Sequence, residues 1–232
     1  MPIGSVRTGI LGGIDAIPDS EHLQVHHKAD EGVSTDNGDV TAWQGQGQLG
    51  LNLDTTNGTP TLQDDDLNGL PGIRFPEDVW IEVSSGLSLN QPCEVWAVGR
   101  LETVTDPNND WCSSGDGGGG MSLGLRDTND NYAPFSGNHL DSGVSLDTTA
   151  RIFGAVFDGN SSAVVIDGAE EATGDAGSRD ADAGWTIGAR HTGTPDGDNI
   201  DGTIHEVMVY GNRDNDRRSD IISYLDSRYG IV

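Results

Sequence analysis

The stretch Gly202 to Val232, GTIHEVMVYGNRDNDRRSDIISYLDSRYGIV, constrains this chain's fold more than any other. Thr203 to Tyr210 is rich in β-branched residues and other good strand formers. Plain alternation puts Ile204, Met208 and Tyr210 on one face and Val207 and Val209 on the other, so both faces are apolar and the strand must be covered on both sides. Gly211 and Asn212 then break the strand, and Asp214 is placed to cap a helix. Ile221, Ile222 and Leu225 recur at helical spacing, Tyr229 follows, and Gly230 offers a C-cap. The predicted ending is a strand, a turn and a single amphipathic helix.

Upstream, short apolar runs alternate with turns supplied by an abundance of glycine, 34 residues in all. Strands are predicted at His22 to His27, Val40 to Trp43, Ile73 to Phe75, Val79 to Val83, Cys93 to Leu101, Arg151 to Phe157, Ser162 to Ile166 and Gly184 to Ala189. Asn37-Gly38 and Asp167-Gly168 are hairpin-turn signals. In the first strand Leu23 and Val25 point inward, and His26 and His27 are read as surface residues. Adjacent strand residues face opposite ways, so this pair cannot chelate one ion. Trp43 is assigned to the core. Gln44 to Asn68 reads as polar loop, with Asp64-Asp65-Asp66 as a solvated acidic turn. Nothing marks an internal boundary, and 232 residues suffice for one sandwich with a sizeable core.

The ending resembles that of the concanavalin A-like lectin/glucanase superfamily in its laminin G-like jelly-roll branch. The residues that carry the resemblance are Gly202, Ile204, Glu206, Val207, Tyr210, Asn212, Arg213, Tyr224, Leu225, Tyr229 and Gly230. Further matches are His22 to Trp43, Leu67-Asn68-Gly69 with Ile73-Arg74-Phe75, Val165 with Asp167-Gly168, and Trp185 with Ile187-Gly188. Arg213-Asp214 stand where the family usually has a leucine. The resemblance spans residues 21–232 and implies an all-β fold, a two-sheet antiparallel jelly-roll sandwich with one short C-terminal helix. Before it lies Met1 to Ser20, whose Ile3, Val6, Ile10, Leu11, Ile14 and Ile17 are more apolar than a solvated tail needs. This segment is read as an arm that docks onto a neighbouring subunit, against the commoner fate of a loose terminus.

Charge limits the partners. There are 38 acidic residues against 12 basic ones, a formal charge of −26, and acids are spread along the whole length. Such a surface repels itself unless screened, and the Debye length shortens from about 8 Å in physiological salt to about 3 Å near molar salt. The chain is therefore read as halophilic. Nucleic acid is not an expected partner, because a phosphate backbone calls for a basic footprint. No apolar run approaches the roughly 18 to 20 residues of a membrane span, and the first residues lack the pattern of a secretory signal, so a soluble protein without membrane insertion is expected.

Thr105 to Gly120 is the longest candidate for a functional loop. Sugar recognition takes planar hydrogen-bonding groups for hydroxyls and an aromatic face for the ring, and this loop offers both. Trp111 is the expected stacking residue and Asn109 and Asp110 the hydroxyl partners. Tyr132 and Asn138, from two similar polar turns, join them as ligand-binding candidates. Asp196, Asp198 and Asp201 form a weaker candidate cluster for Ca or Mg, with Ile200 where an oxygen ligand would be wanted. No cofactor is required by any motif.

No catalytic residue is assigned. The glucanase branch draws its carboxylates from a Glu-x-Asp-x-Glu strand, which puts all three on one face, and this chain has none. Glu94 is isolated on its strand, Glu82 has no acidic residue two positions away, and Glu206 is followed by Met208. Nor is there a Gly-x-Ser-x-Gly elbow or a His-Glu-x-x-His helix. Cys93 and Cys112 are the only cysteines, and sequence leaves open whether they form a disulfide or remain thiols. The expectation is a non-catalytic adhesion or carbohydrate-recognition module, a homo-oligomer displayed on a larger assembly. That assembly would be a virion surface (capsid decoration, turret or tail fibre) of a virus of halophilic archaea, contacting a host-surface glycan. A purely structural subunit-binding jelly roll and a diverged glycoside hydrolase or lyase are the alternatives.

Overall fold

The computed structural model describes residues 16–104, 110–115, 120–124, 130–190 and 199–232. Its strands, in chain order, are β1 (Leu23–Lys28), β2 (Val33–Asp36), β3 (Asp39–Gln44), β4 (Asn52–Leu53), β5 (Thr55–Asn57) and β6 (Thr61–Leu67). There follow β7 (Leu70–Phe75), β8 (Trp80–Leu89), β9 (Cys93–Leu101), β10 (Asp110–Ser114), β11 (Ser122–Gly124) and β12 (Ala133–Phe135). The last are β13 (Arg151–Phe157), β14 (Ser162–Ile166), β15 (Ala169–Gly174), β16 (Ala181–Ile187) and β17 (Gly202–Tyr210), before the helix α1 (Asn215–Tyr229).

Two antiparallel sheets result. The larger runs β15-β14-β13-β9-β17-β7-β6-β3-β2, with β1 also on β17 and β4 on β3; the smaller runs β12-β11-β10-β16-β8-β5. The main core lies between them and includes Trp43, Phe75, Phe153, Phe157, Ile187 and Val207. A second core lies on the outer side of the larger sheet, where Ile221, Tyr224, Leu225 and Tyr229 of α1 cover Trp96, Val98, Met208 and Tyr210. Each such fully buried apolar side chain stabilises the fold by about 1.5 to 3 kcal/mol. The expected sandwich with one C-terminal helix is the observed architecture.

β17 is buried at every residue and is covered on both sides, as its composition requires. Plain alternation fails at one point. Ile204 stands opposite Gly99 and Glu206 opposite Val98, so His205 is an extra residue, a β-bulge. The bulge turns Ile204 to the side of Val207 and Val209, into the main core, and leaves Met208 and Tyr210 beneath the helix. Grouping Ile204 with Met208 and Tyr210 is thus corrected by a single residue. The helix boundaries follow the sequence: Asp214 accepts from the Asp216 N–H, and Gly230 closes the last turn at φ 64°.

β17 and α1 are tied together by a buried carboxylate. Glu206 accepts from Tyr224 and Tyr229, each at 2.9 Å, and lies 2.7 Å from His26 Nε2 and 3.3 Å from Arg228 Nε. Two expectations change here. His26 and His27 are both fully buried, because β1 lies beside the central β17 and both its faces are covered. His27 enters the main core against Trp43, with ring centroids 5.4 Å apart. Likewise Gln44 to Asn68 is not a loop but holds β4, β5 and β6. Asp66 turns inward to an ion pair with Arg100 and a hydrogen bond at 2.8 Å with His205. Burial raises the Asp66 pKa, but the bonds from Arg100 and His205 outweigh that and hold it below the usual carboxylate range.

Candidate functional site

The registers of the smaller sheet align one row of side chains across all six of its strands. Phe135 stands opposite Ser122, Ser122 opposite Ser113, Ser113 opposite Thr186, Thr186 opposite Glu82, and Glu82 opposite Thr55. Directly opposed residues share a face. The next row, Leu123, Cys112, Ile187 and Ile81, faces the main core, so this one faces outward. It is a strip of hydroxyls with a carboxylate toward one end and an aromatic ring at the other. Thr186 donates to Glu82 Oε2 at 3.4 Å.

Just after β16 the Ala189 carbonyl comes onto this strip. Gly188, at φ 96°, makes the turn, since a Cβ there would lie 2.7 Å from Phe75 and in a strained backbone region. Its N–H donates to the Trp111 carbonyl, and the Ser113 hydroxyl donates to the Ala189 carbonyl at 3.0 Å. The middle of the strip is buried, Ser113 being 1% and Thr186 0% exposed, whereas Phe135 is half-buried. Around Phe135 gather the guanidinium groups of Arg179, 5.0 Å from the ring centroid, and Arg190, 5.9 Å from it, with the His139 ring at 4.7 Å. Ser113, Ser122, Phe135, Arg190 and the backbone at Gly120 border a recess of about 10 Å³, room for a single water-sized polar group.

The sequence candidates are placed otherwise. Trp111 lies on β10 with its indole in the main core, 0% exposed, edge-on to Phe153 at 5.9 Å and to Tyr132 at 6.4 Å. Tyr132 is equally buried and meets Phe153 at 5.3 Å. The two are brought together as core aromatics, and neither offers a face to a sugar. Asp110 is 1% exposed, in register with Gly124, where a Cβ would stand 1.7 Å from its Oδ1. It belongs to the interior edge of β10 and not to a rim. The physical reason is shared: pairing with β11 and β16 makes this segment a strand of the smaller sheet, and a register shift between Asp110 and Cys112 turns Trp111 and Cys112 both inward. Asn138 is exposed, one residue before His139, and donates to Asp175 at 2.8 Å. Asn109 lies outside the described residues.

Of the metal candidates, Asp196 and Asp198 lie outside the described residues, and Asp201 is engaged by Arg74. Among the described residues no group of three or more His, Cys, Asp or Glu is placed to hold a metal ion. Cys93 and Cys112 are free, buried thiols; burial, with Asp180 and Glu94 adding to it, pushes Cys93 up to about 12. Among the described residues no helix is long and apolar enough to cross a membrane.

Phe135, Arg179, Arg190, Ser113 and Ser122 were not singled out by the sequence. One signal was available: Cys112-Ser113 and Met121-Ser122-Leu123 alternate with period two, which marks strands with one polar face.

The fold is a two-sheet antiparallel β-sandwich with one C-terminal helix. No family model matches the sequence, and no curated protein is similar to it at a significant level. Solved structures are similar in fold. Domain 4 of AbnA, a GH43 extracellular arabinanase from Geobacillus stearothermophilus solved with arabinotriose, superposes with a TM-score of 0.66 at 18% identity, over 87% of this chain and 97% of that one. The binding domain of Paraclostridial Mosquitocidal Protein 1 gives 0.58 at 9% identity over 90% of this chain and 53% of that one. Trypanosoma rangeli sialidase gives 0.57 at 16% identity over 96% of this chain and only 35% of the sialidase.

Proposed function

We propose that this domain is a non-catalytic carbohydrate-recognition module that engages glycans at the Phe135 end of the smaller sheet's outer face. The observation that carries this reading is the half-buried Phe135 ring at the uncovered end of the row, next to the exposed Asn138 and His139; the hydroxyls further along the row are buried. An arabinanase domain solved with arabinotriose shares the fold, which supports the class of ligand. The row contributes one carboxylate, Glu82, whereas glycoside hydrolysis uses a pair, and this favours binding over the hydrolase alternative. With a charge of −26, the module suits a high-salt exterior, such as the virion surface of a haloarchaeal virus.

The test is a panel of neutral and acidic oligosaccharides titrated in molar salt against wild type and Phe135→Ala. Loss of the ring contact should weaken binding about 10-fold, on the scale of about 1 to 3 kcal/mol for an aromatic anchor. A domain that binds no member of the panel, or binds equally well without Phe135, would overturn the assignment. A second reading, subunit docking, is favoured by a groove of about 320 Å³ between Ala16, Ile17 and Pro18 and the helix residues Asp220, Ser223 and Tyr224. Analytical ultracentrifugation across protein concentrations separates the two, because docking predicts self-association and glycan recognition does not need it.

A further inference from the structure

We infer that Asn57 is the acceptor of an N-linked glycan whose first sugar packs on Trp80. Two stretches of the chain carry the Asn-x-Ser/Thr pattern of such an acceptor, Asn57-Gly58-Thr59 and Asn160-Ser161-Ser162, and a pattern this short recurs by chance. The fold separates them. Asn57, Gly58 and Thr59 are all exposed, and Asn57 is the last residue of β5, the edge strand of the smaller sheet on the side away from Phe135. Asn160 is exposed as well, but its hydroxyl residue is not. Ser162 is 0% exposed, and its Oγ accepts from the Asp158 N–H at 2.9 Å and donates to the Gly159 carbonyl at 2.8 Å. The motif needs its hydroxyl as well as its amide, and of the two stretches the first alone presents both in the folded protein.

Trp80 gives the position a second feature. In the pairing of β5 with β8, Thr56 stands opposite Ile81 and Asn57 opposite Trp80. Ile81 faces the main core, so Asn57 and Trp80 both face outward, with their β-carbons about 5 Å apart. Of the five tryptophans, the other four are buried in the two cores, whereas Trp80 is half-buried and belongs to neither. An indole beside the acceptor offers the flat apolar surface that the apolar face of the first sugar would cover. The acceptor is also held in place. Asn57 Nδ2 donates to the Asp78 carbonyl at 2.8 Å, which uses one of its two N–H groups and leaves the other for substitution. In the transfer the amide nitrogen bonds to the anomeric carbon of a lipid-linked sugar phosphate. The carbon–oxygen bond to phosphate breaks with its electrons on the departing lipid phosphate, and the displaced amide proton passes to a base of the transferase.

The experiment incubates the folded full chain with a purified single-subunit oligosaccharyltransferase and dolichyl-pyrophosphate-linked chitobiose, and maps the product by peptide mass. A glycan should appear on Asn57; Thr59→Ala should abolish it and Thr59→Ser should retain it. Near-UV circular dichroism checks that each substrate is folded, and the wild-type result needs no variant. No transfer to Asn57, or transfer to Asn160 as readily as to Asn57, would overturn the acceptor assignment. A second measurement compares melting temperatures with and without the glycan. Attachment should raise that of wild type by about 2 to 4 °C, and the rise should vanish in Trp80→Ala. A wild type that melts unchanged, or a rise that persists in Trp80→Ala, would overturn the packing on Trp80 and leave the acceptor standing.

Discussion

Tyr229, on the last turn of α1, donates its hydroxyl to Glu206 Oε2 at 2.9 Å across 23 residues of chain. The same carboxylate receives Tyr224 from one turn earlier and lies against His26 and Arg228, so strand and helix are fastened through one buried negative charge. Removing it would leave Arg228 and His26 facing a void. Glu206→Ala is expected to cost about 3 to 5 kcal/mol of stability, and Tyr229→Phe about 1.5 kcal/mol. Urea unfolding in molar salt measures both, and a neutral Tyr229→Phe would mean that the helix is held by apolar contact alone.

His27 makes stability depend on pH. Burial, reinforced by the neighbouring His26, depresses its pKa to about 3 from 6.5. Between those values the unfolded chain binds a proton that the native state refuses. Stability is therefore complete above pH 6.5 and is lost as pH falls, with a slope of about 1.4 kcal/mol per pH unit for this one proton. His205, also depressed by burial, adds in the same direction. His27→Leu should flatten the stability profile between about pH 6 and pH 4 by one proton's worth and leave the His205 part. An unchanged slope would show that His27 is solvated in the native state.

Trp111 should behave as a core residue. Its ring is edge-on to Phe153, at an interplanar angle of 90°, and to Tyr132. Trp111→Ala is expected to cost about 3 to 5 kcal/mol of stability, with glycan affinity unaltered under conditions where the variant is folded. Weakened binding with an unchanged melting temperature would restore the stacking role.

Salt should stabilise the domain. With 38 acidic residues against 12 basic ones, the acids far outnumber the cations that could pair with them, and a net charge of −26 repels itself. Lowering sodium chloride from molar to about 0.1 M lengthens the Debye length to about 10 Å and should depress the melting temperature. A flat melting temperature across that range would argue that the acids serve a partner instead of a solvent.

What the sequence reveals depends on how local the deciding interaction is. The turns at Asn37-Gly38 and Asp167-Gly168 are legible because positive φ is a property of a dipeptide; the four residues sit at 53°, 94°, 50° and 86°. The cap at Asp214 is legible for the same reason. Asp66 is not, since Arg100 and His205, which draw it inward, lie 34 and 139 residues away. Trp111 among Asn, Asp and Gly has the composition of a loop, and its burial is set by Phe153 on another sheet. The candidate site is harder still to read. Phe135, Ser122, Ser113, Thr186 and Glu82 come into line only through the register of successive strand pairs, and no local pattern encodes a register between distant strands.

The extra residue in β17 changes how this strand would tolerate shortening. On either side of His205 the alternation is regular, so removing that residue alone would bring Ile204 and Glu206 into ordinary opposition, one toward each core. Removing Glu206 instead would also keep the phase, but at the loss of the carboxylate that Tyr224 and Tyr229 bond. A strand buried at every residue thus contains a position where a one-residue deletion preserves the phase of everything around it, at the expense of the His205 contact with Asp66.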